Sequence, residues 1–409
     1  MHTMGRKQST LAGCRIALTC SGLSHVRRGV ETWSREAFEA LQAQGVPVTL
    51  FKGSGAPSAA LGTSPEVHTN GLRNGLPAVR VLPCVRRGSP LSNALARTMP
   101  PFAWRLGLGS AYQAEQTTFA LSLLAAGIGR FDLVHTKDPQ VASLLQWART
   151  AGVSRARVIL NHGTEEPPAF LQRFEYLQHL APFHLQEALE QGVRVRQQFV
   201  VPNFVDTQRF QPGSGAAVRR ELHIPAEAFV VACVAAIKRH HKRLDWLIRE
   251  VAAVPEAYLL IAGAPTQQTP ELMRMAAELL GPRVRFVTDR PHERMPELYR
   301  AADVFALCSL KEMLSNAVLE ALASGVPCVV SAHPVNRWAV ADGGEAVDME
   351  QSGAVAAALR RLQDATRRRA AAERARQRAV SGFSTEVVIA QQVAMYHEVL
   401  RGEAACRRS

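Results

Sequence analysis

Glu312 and Glu320 place two carboxylates in one run, Glu312-Met-Leu-Ser-Asn-Ala-Val-Leu-Glu-Ala-Leu-Ala-Ser-Gly-Val-Pro-Cys-Val-Val-Ser331, with seven residues between them. A helical stretch follows Ser315, Gly325 and Pro327 end it, and a short apolar strand comes next. Ser315 or Asn316 suits the N-cap, where a short side-chain oxygen accepts a first-turn N–H. The free N–H groups near Leu314, Ser315 and Asn316, with the positive end of the helix dipole, make an anion site that fits a diphosphate. Glu312 then lies on the loop at the rim of that site. Glu320 lies on the helix body, at a reach suited to the far end of a nucleotide. Two acids at this spacing also fit the solvent face of an ordinary amphipathic helix, and the spacing alone leaves both readings open.

Three further positions could carry chemistry. Lys242 closes a basic loop, Lys238-Arg-His-His-Lys242, at the start of a helix; a solvated loop is the plainer account. His162 stands just past the strand Arg157–Leu160, at the edge where open α/β sheets bind ligands, with His135 as the alternative. A lone histidine there is also commonly structural. Gly29 ends the loop Cys20-Ser-Gly-Leu-Ser-His-Val-Arg-Arg-Gly29, where a backbone without a side chain could approach a phosphate or simply start a helix. The loop is not a G-x-G-x-x-G fingerprint, so a dinucleotide fold is poorly supported.

These positions need a scaffold that brings strand ends together. The first half opens strand–loop–helix–strand, and the second half alternates strands with helices, which implies parallel, doubly wound sheets. At 409 residues the chain is long for one domain, and 47% apolar residues allow two cores. Lys and Arg total 48 against 35 acids, so anionic partners are favoured: nucleotide diphosphates, anionic lipid or nucleic acid. Aromatic residues are only 6%, which argues against stacking on nucleic-acid bases. Seven cysteines without a C-x-x-C read as free thiols in a reducing, cytoplasmic compartment. No apolar run nears the ~18 residues of a membrane span, and the first ten residues lack a signal-peptide core.

The Glu312–Glu320 run resembles the E-x7-E element of the retaining glycosyltransferases of family 4. Val201-Pro-Asn-Phe-Val-Asp-Thr-Gln-Arg-Phe210 resembles that family's V-P-N-G-V-D-x-x-x-F segment, with Phe204 in place of the glycine. Glu297-Leu-Tyr-Arg-Ala-Ala-Asp-Val-Phe305 resembles the stretch before its acidic motif, and Lys242-Arg-Leu-Asp-Trp-Leu-Ile248 its K-G-x-D-x-L-I pattern. Arg28-Gly-Val-Glu31 is similar to its G-G-V-E turn, with Arg28 at the first glycine.

The resemblance implies a GT-B fold: two Rossmann-like, doubly wound parallel-sheet α/β domains facing a cleft. The expected division is a tail at 1–13, an acceptor domain at 14–203, a donor domain at 204–384, and a helix with a tail at 385–409 that crosses back. It implies transfer of a sugar from a nucleotide diphosphate sugar with retention and without a metal, since no D-x-D lies near a strand end. Glu312 would meet the sugar hydroxyls and Glu320 the ribose. Lys242 would pair with the β-phosphate, and His162 would approach the reaction centre. The family's second cation falls at Ile237 here, so Lys238 or Arg239 is expected to replace it. The acceptor is expected to give a cell-envelope glycan, a glycolipid or a small-molecule glycoside. Arg73, Arg80, Arg86, Arg87, Arg97 and Arg105 lie in a stretch that would face the acceptor or an anionic membrane surface, or form a solvated loop. An epimerase on the same fold, and a non-catalytic basic binding protein, are the rival readings.

Overall fold

The computed structural model describes Leu11 and residues 13–26, 29–53, 78–98 and 107–401, without the side chains of 95–98. The chain divides into two units, Met1–Val201 with Ile389–Ser409, and Pro202–Val388. The sequence reading placed its divisions at 203/204 and 384/385.

The first unit holds β1 (Ile16–Cys20), β2 (Val48–Gly53), β3 (Val79–Leu82), β4 (Leu133–Thr136), β5 (Arg157–His162), β6 (Tyr176–His179) and β7 (Gln197–Val200). They form one sheet in the order β3-β2-β1-β4-β5-β6-β7, with every neighbouring pair parallel. β1, β4, β5 and β6 are buried along their whole length, as strands inside a parallel sheet are, even where they carry His135, Asn161, Gln178 and His179. One face packs a core around Ala17, Val134, Val158, Leu160 and Leu177 against Phe119, Leu123, Val141 and Leu145.

The second unit holds β8 (Val230–Val234), β9 (Tyr258–Ala262), β10 (Val284–Val287), β11 (Val304–Leu307), β12 (Cys328–Ser331) and β13 (Gly344–Val347). Their order is β10-β9-β8-β11-β12-β13, again all parallel. Strand order reverses between β1 and β4 in one sheet and between β8 and β11 in the other. Loops on the two sides of such a point diverge and leave a crevice at the carboxyl ends of the strands. Gly263, just past β9, has φ +149°, and a Cβ there would lie 1.9 Å from the Ala235 carbonyl oxygen, so the position excludes any side chain.

The Ala- and Arg-rich stretch 356–380 falls in two helices, Ala354–Gln363 and Ala365–Phe383, broken at Asp364. Asp364 caps the second by accepting from Arg367 N at 2.7 Å. Ala371, Ala375, Ala379 and Phe383 are buried, and two arginines of the same helix, Arg376 and Arg378, act as internal ties. Arg376 donates to the carbonyls of Phe210 (2.8 Å), Ala323 (2.7 Å) and Thr207 (2.9 Å). Arg378 donates to Trp338 O at 2.8 Å and lies over the Phe383 ring. Replacing Arg376 with Met should leave three carbonyls without their donor and cost roughly 2–4 kcal/mol. A thermal melt should then fall by roughly 5–10 °C; an unchanged melt would refute the tie.

The basic stretch 72–110 is described only in part. Arg73 and Arg105 lie outside the described residues, as does the side chain of Arg97. Arg86 is exposed. Arg87, however, is turned inward: Nε donates to Glu115 Oε1 at 2.8 Å, Nη2 reaches Glu31 at 3.3 Å, and the guanidinium lies over Tyr112. With His25 also on Glu115, these donors hold that carboxyl down at about 2 despite burial. Arg87 therefore offers no charge to a lipid. Among the described residues no helix is long and apolar enough to cross a membrane.

Candidate active site

The helix Asn316–Ala323 forms as its residues dictate, with Val318, Leu319, Ala321, Leu322 and Ala323 buried. Its end is a two-bond reverse turn: Gly325 N donates to Leu322 O (3.0 Å) and Val326 N to Ala321 O (2.9 Å), with Gly325 at φ +70°. Its beginning differs from expectation. Ser315 occupies the N-cap with extended backbone (φ −75°, ψ 119°), but its side chain makes no capping bond. The loop is held instead from Asn203, whose amide donates to Leu314 O at 3.2 Å and to Asn316 Oδ1 at 2.9 Å. The first-turn N–H groups consequently keep no side-chain cap.

Glu312 follows β11 and Lys242 follows β8, the two strands at the reversal point. Topology thus joins residues 70 apart in sequence, and Lys242 Nζ donates to Glu312 Oε1. Their side chains are only 18% and 11% exposed, so neither charge could stay there unpaired at small cost. Beneath them lies the buried Cys233 thiol, which burial pushes up to about 12. Lys242 sits between two left-handed, non-glycine residues, His241 (φ 69°) and Arg243 (φ 49°). The resembled pattern has glycine where Arg243 stands, and this backbone explains why. Arg243 stays anchored by Met349 O (3.1 Å) and by the Trp246 ring.

Glu320 faces the other end of the helix site. Tyr299 donates its hydroxyl to Oε2 at 2.7 Å, and His292 Nε2 lies 3.2 Å from Oε1. His292 is in turn 2.9 Å from the Arg209 guanidinium through Nδ1. Glu312, Glu320, Lys242 and Leu314–Asn316 are therefore gathered on one unit. Arg239 is not gathered with them: it is 41% exposed and pairs with Glu271 and with Asp245 (3.4 Å). Ile237, where the family's second cation is expected, is buried and bridges to Pro265. Sequence reasoning missed Asn203, Tyr299 and His292 as parts of this site; Asn203 and Tyr299 lie inside motifs to which no site role is given above.

In the first unit Gly29 begins the helix Gly29–Ala43. His162 ends β5 and is 7% exposed, with Nδ1 2.6 Å from Glu166 Oε2. His135 is fully buried, bonded through Nδ1 to the Tyr396 hydroxyl at 2.8 Å, and burial lowers it to about 3. It anchors the helix Thr385–Arg401 and is removed as an alternative to His162.

Two all-parallel sheets, each reversing strand order at its centre, make up the GT-B fold. Residues 228–365 match the family model described as glycosyl transferases group 1. A D-inositol 3-phosphate glycosyltransferase of Mycolicibacterium smegmatis is 37% identical over 188 residues, 44% of this chain. That match spans 43% of the relative, less than half its length. In fold the chain is similar to sucrose-phosphate synthase from Thermosynechococcus elongatus, with TM-score 0.73, 22% identity, and 95% and 99% of the two chains covered. It is also similar to Anabaena HepE in complex with UDP and glucose, with TM-score 0.71, 17% identity, and 94% and 99% covered.

Proposed function

We propose that this protein is a glycosyltransferase that moves a sugar from a nucleotide diphosphate sugar to an acceptor hydroxyl, with retention and without a metal ion. The observation that carries the reading is the Lys242–Glu312 pair beside the uncapped start of the Asn316–Ala323 helix. Each charge satisfies the other in the free protein. A donor replaces both partners at once: its β-phosphate takes the lysine and the helix N–H groups, and its sugar hydroxyls take the carboxylate. The scissile bond joins the anomeric carbon to a diphosphate oxygen. As it breaks, positive charge grows on the ring and negative charge on the leaving group, where fixed cations and amides are worth most. Glu312 orients the sugar by hydrogen bonds, a positional effect rather than a proton transfer. No protein nucleophile is assigned, because the carboxylate is engaged in recognition.

Glu320, held by Tyr299 and His292, takes the ribose hydroxyls, and Gly29 and His162 keep the donor roles that the family resemblance implies. Arg239 would have to leave Glu271 and Asp245 to reach a phosphate, so Lys242 and the amides carry that task here. The acceptor is a glycan, a glycolipid or a small polyol; the inositol phosphate in the relatives' names supports the last. A cytoplasmic setting, with peripheral contact to an anionic membrane, fits the free thiols and the net charge of +13. Thermal-shift screening against UDP, GDP, ADP and their sugars, followed by a transfer assay with the best donor, tests the reading. A donor that stabilises the protein and is consumed supports it. No shift and no consumption with any donor would overturn it.

A further inference from the structure

We infer that Glu166 is a positioning residue that fixes which nitrogen of His162 carries the proton. The inference rests on the reading above only for its kinetic consequence. Glu166 is four residues past His162, in the loop that leaves β5, and its side chain is 12% exposed. One carboxylate oxygen lies 2.6 Å from His162 Nδ1. The other is held by the Thr164 hydroxyl. An ionised carboxylate only accepts, so the short contact requires the hydrogen on Nδ1. Neutral His162 then carries its lone pair on Nε2, the nitrogen left for a ligand.

The ring is boxed on other sides. It meets His179 edge-to-face with centroids 5.7 Å apart, and His184 at 6.4 Å. His179 is pinned by Gln198 at 2.8 Å, and burial holds it near 4, so it packs as a neutral wall. With the ring confined, the tautomer decides whether Nε2 accepts a hydroxyl proton or presents its own. Thr164, Glu166 and His162 therefore form a relay of orientation: the hydroxyl holds the carboxylate, and the carboxylate sets the imidazole. A free imidazole in water has no such constraint, so the arrangement belongs to this loop.

The test is nitrogen-15 NMR of the full chain labelled at histidine, at mildly alkaline pH, with His162 assigned by His162→Gln. The wild type should show the bare nitrogen at Nε2. In Glu166→Ala the bare nitrogen should move to Nδ1 or average between the two, and in Thr164→Val the shift should be smaller and in the same direction. With a donor identified by screening, Glu166→Ala should lower kcat roughly tenfold with the donor KM little changed, the size seen when an outer hydrogen-bond partner of a functional histidine is removed. A wild-type proton on Nε2, or a tautomer in Glu166→Ala identical to wild type, would overturn the inference even if the protein transfers sugar. The expected tautomer switch in a protein that transfers nothing would sustain the positioning role and overturn only the proposed activity.

Discussion

Glu312→Gln should lower sugar-transfer turnover by roughly 10²–10³-fold, the range found when one preorganised group at a transition state is lost. The substitution keeps volume and a hydrogen-bonding oxygen, so Lys242 still has an acceptor and the fold should hold. It removes the negative charge that balances Lys242 and the full acceptor capacity that grips sugar hydroxyls. Far-UV circular dichroism and the melting temperature serve as controls. Turnover within a few-fold of wild type would remove Glu312 from the mechanism, and with it the proposed use of the whole pair.

Lys242→Ala should weaken nucleoside diphosphate binding by roughly 10–100-fold in calorimetry, the size of one or two hydrogen bonds to a charged group. The effect should not be shared by Arg239→Ala, because Arg239 is already engaged by Glu271 and Asp245. The two variants together separate a specific phosphate contact from general positive charge. Equal losses in both would instead favour diffuse attraction, and unaltered affinity in Lys242→Ala would exclude the phosphate role.

Much of this arrangement was readable because its signals are local. The helix Asn316–Ala323 was visible from Ser315, Gly325 and Pro327, and β12 from the apolar run that follows them, since caps and periodicity act within a few residues. The pairing of Lys242 with Glu312 was legible only through family resemblance. No local rule joins two residues that far apart; the β8–β11 neighbourhood does. The same lack of local signal hid the inward turn of Arg87, whose partner Glu115 lies on a separate helix. It also hid the capture of Arg239 by Glu271, across another loop. Ser315 had the right chemistry for a cap, yet the loop is fixed from Asn203, a residue just past the unit boundary. Glu166 was close in sequence to His162, but an acid four residues past a strand has no pattern that marks it.

The arginine helix bears on how this sequence could drift. Three carbonyls from two separate segments, Thr207 and Phe210 in one and Ala323 at a helix end in the other, converge on the guanidinium of Arg376. A flat, forked cation spans them; an ammonium on a flexible stem presents one compact charge and would satisfy them less completely. Lysine, the usual conservative swap, is therefore a poor one at this position. The arginine there works as mortar between segments, and exchanges that preserve charge would still loosen the masonry.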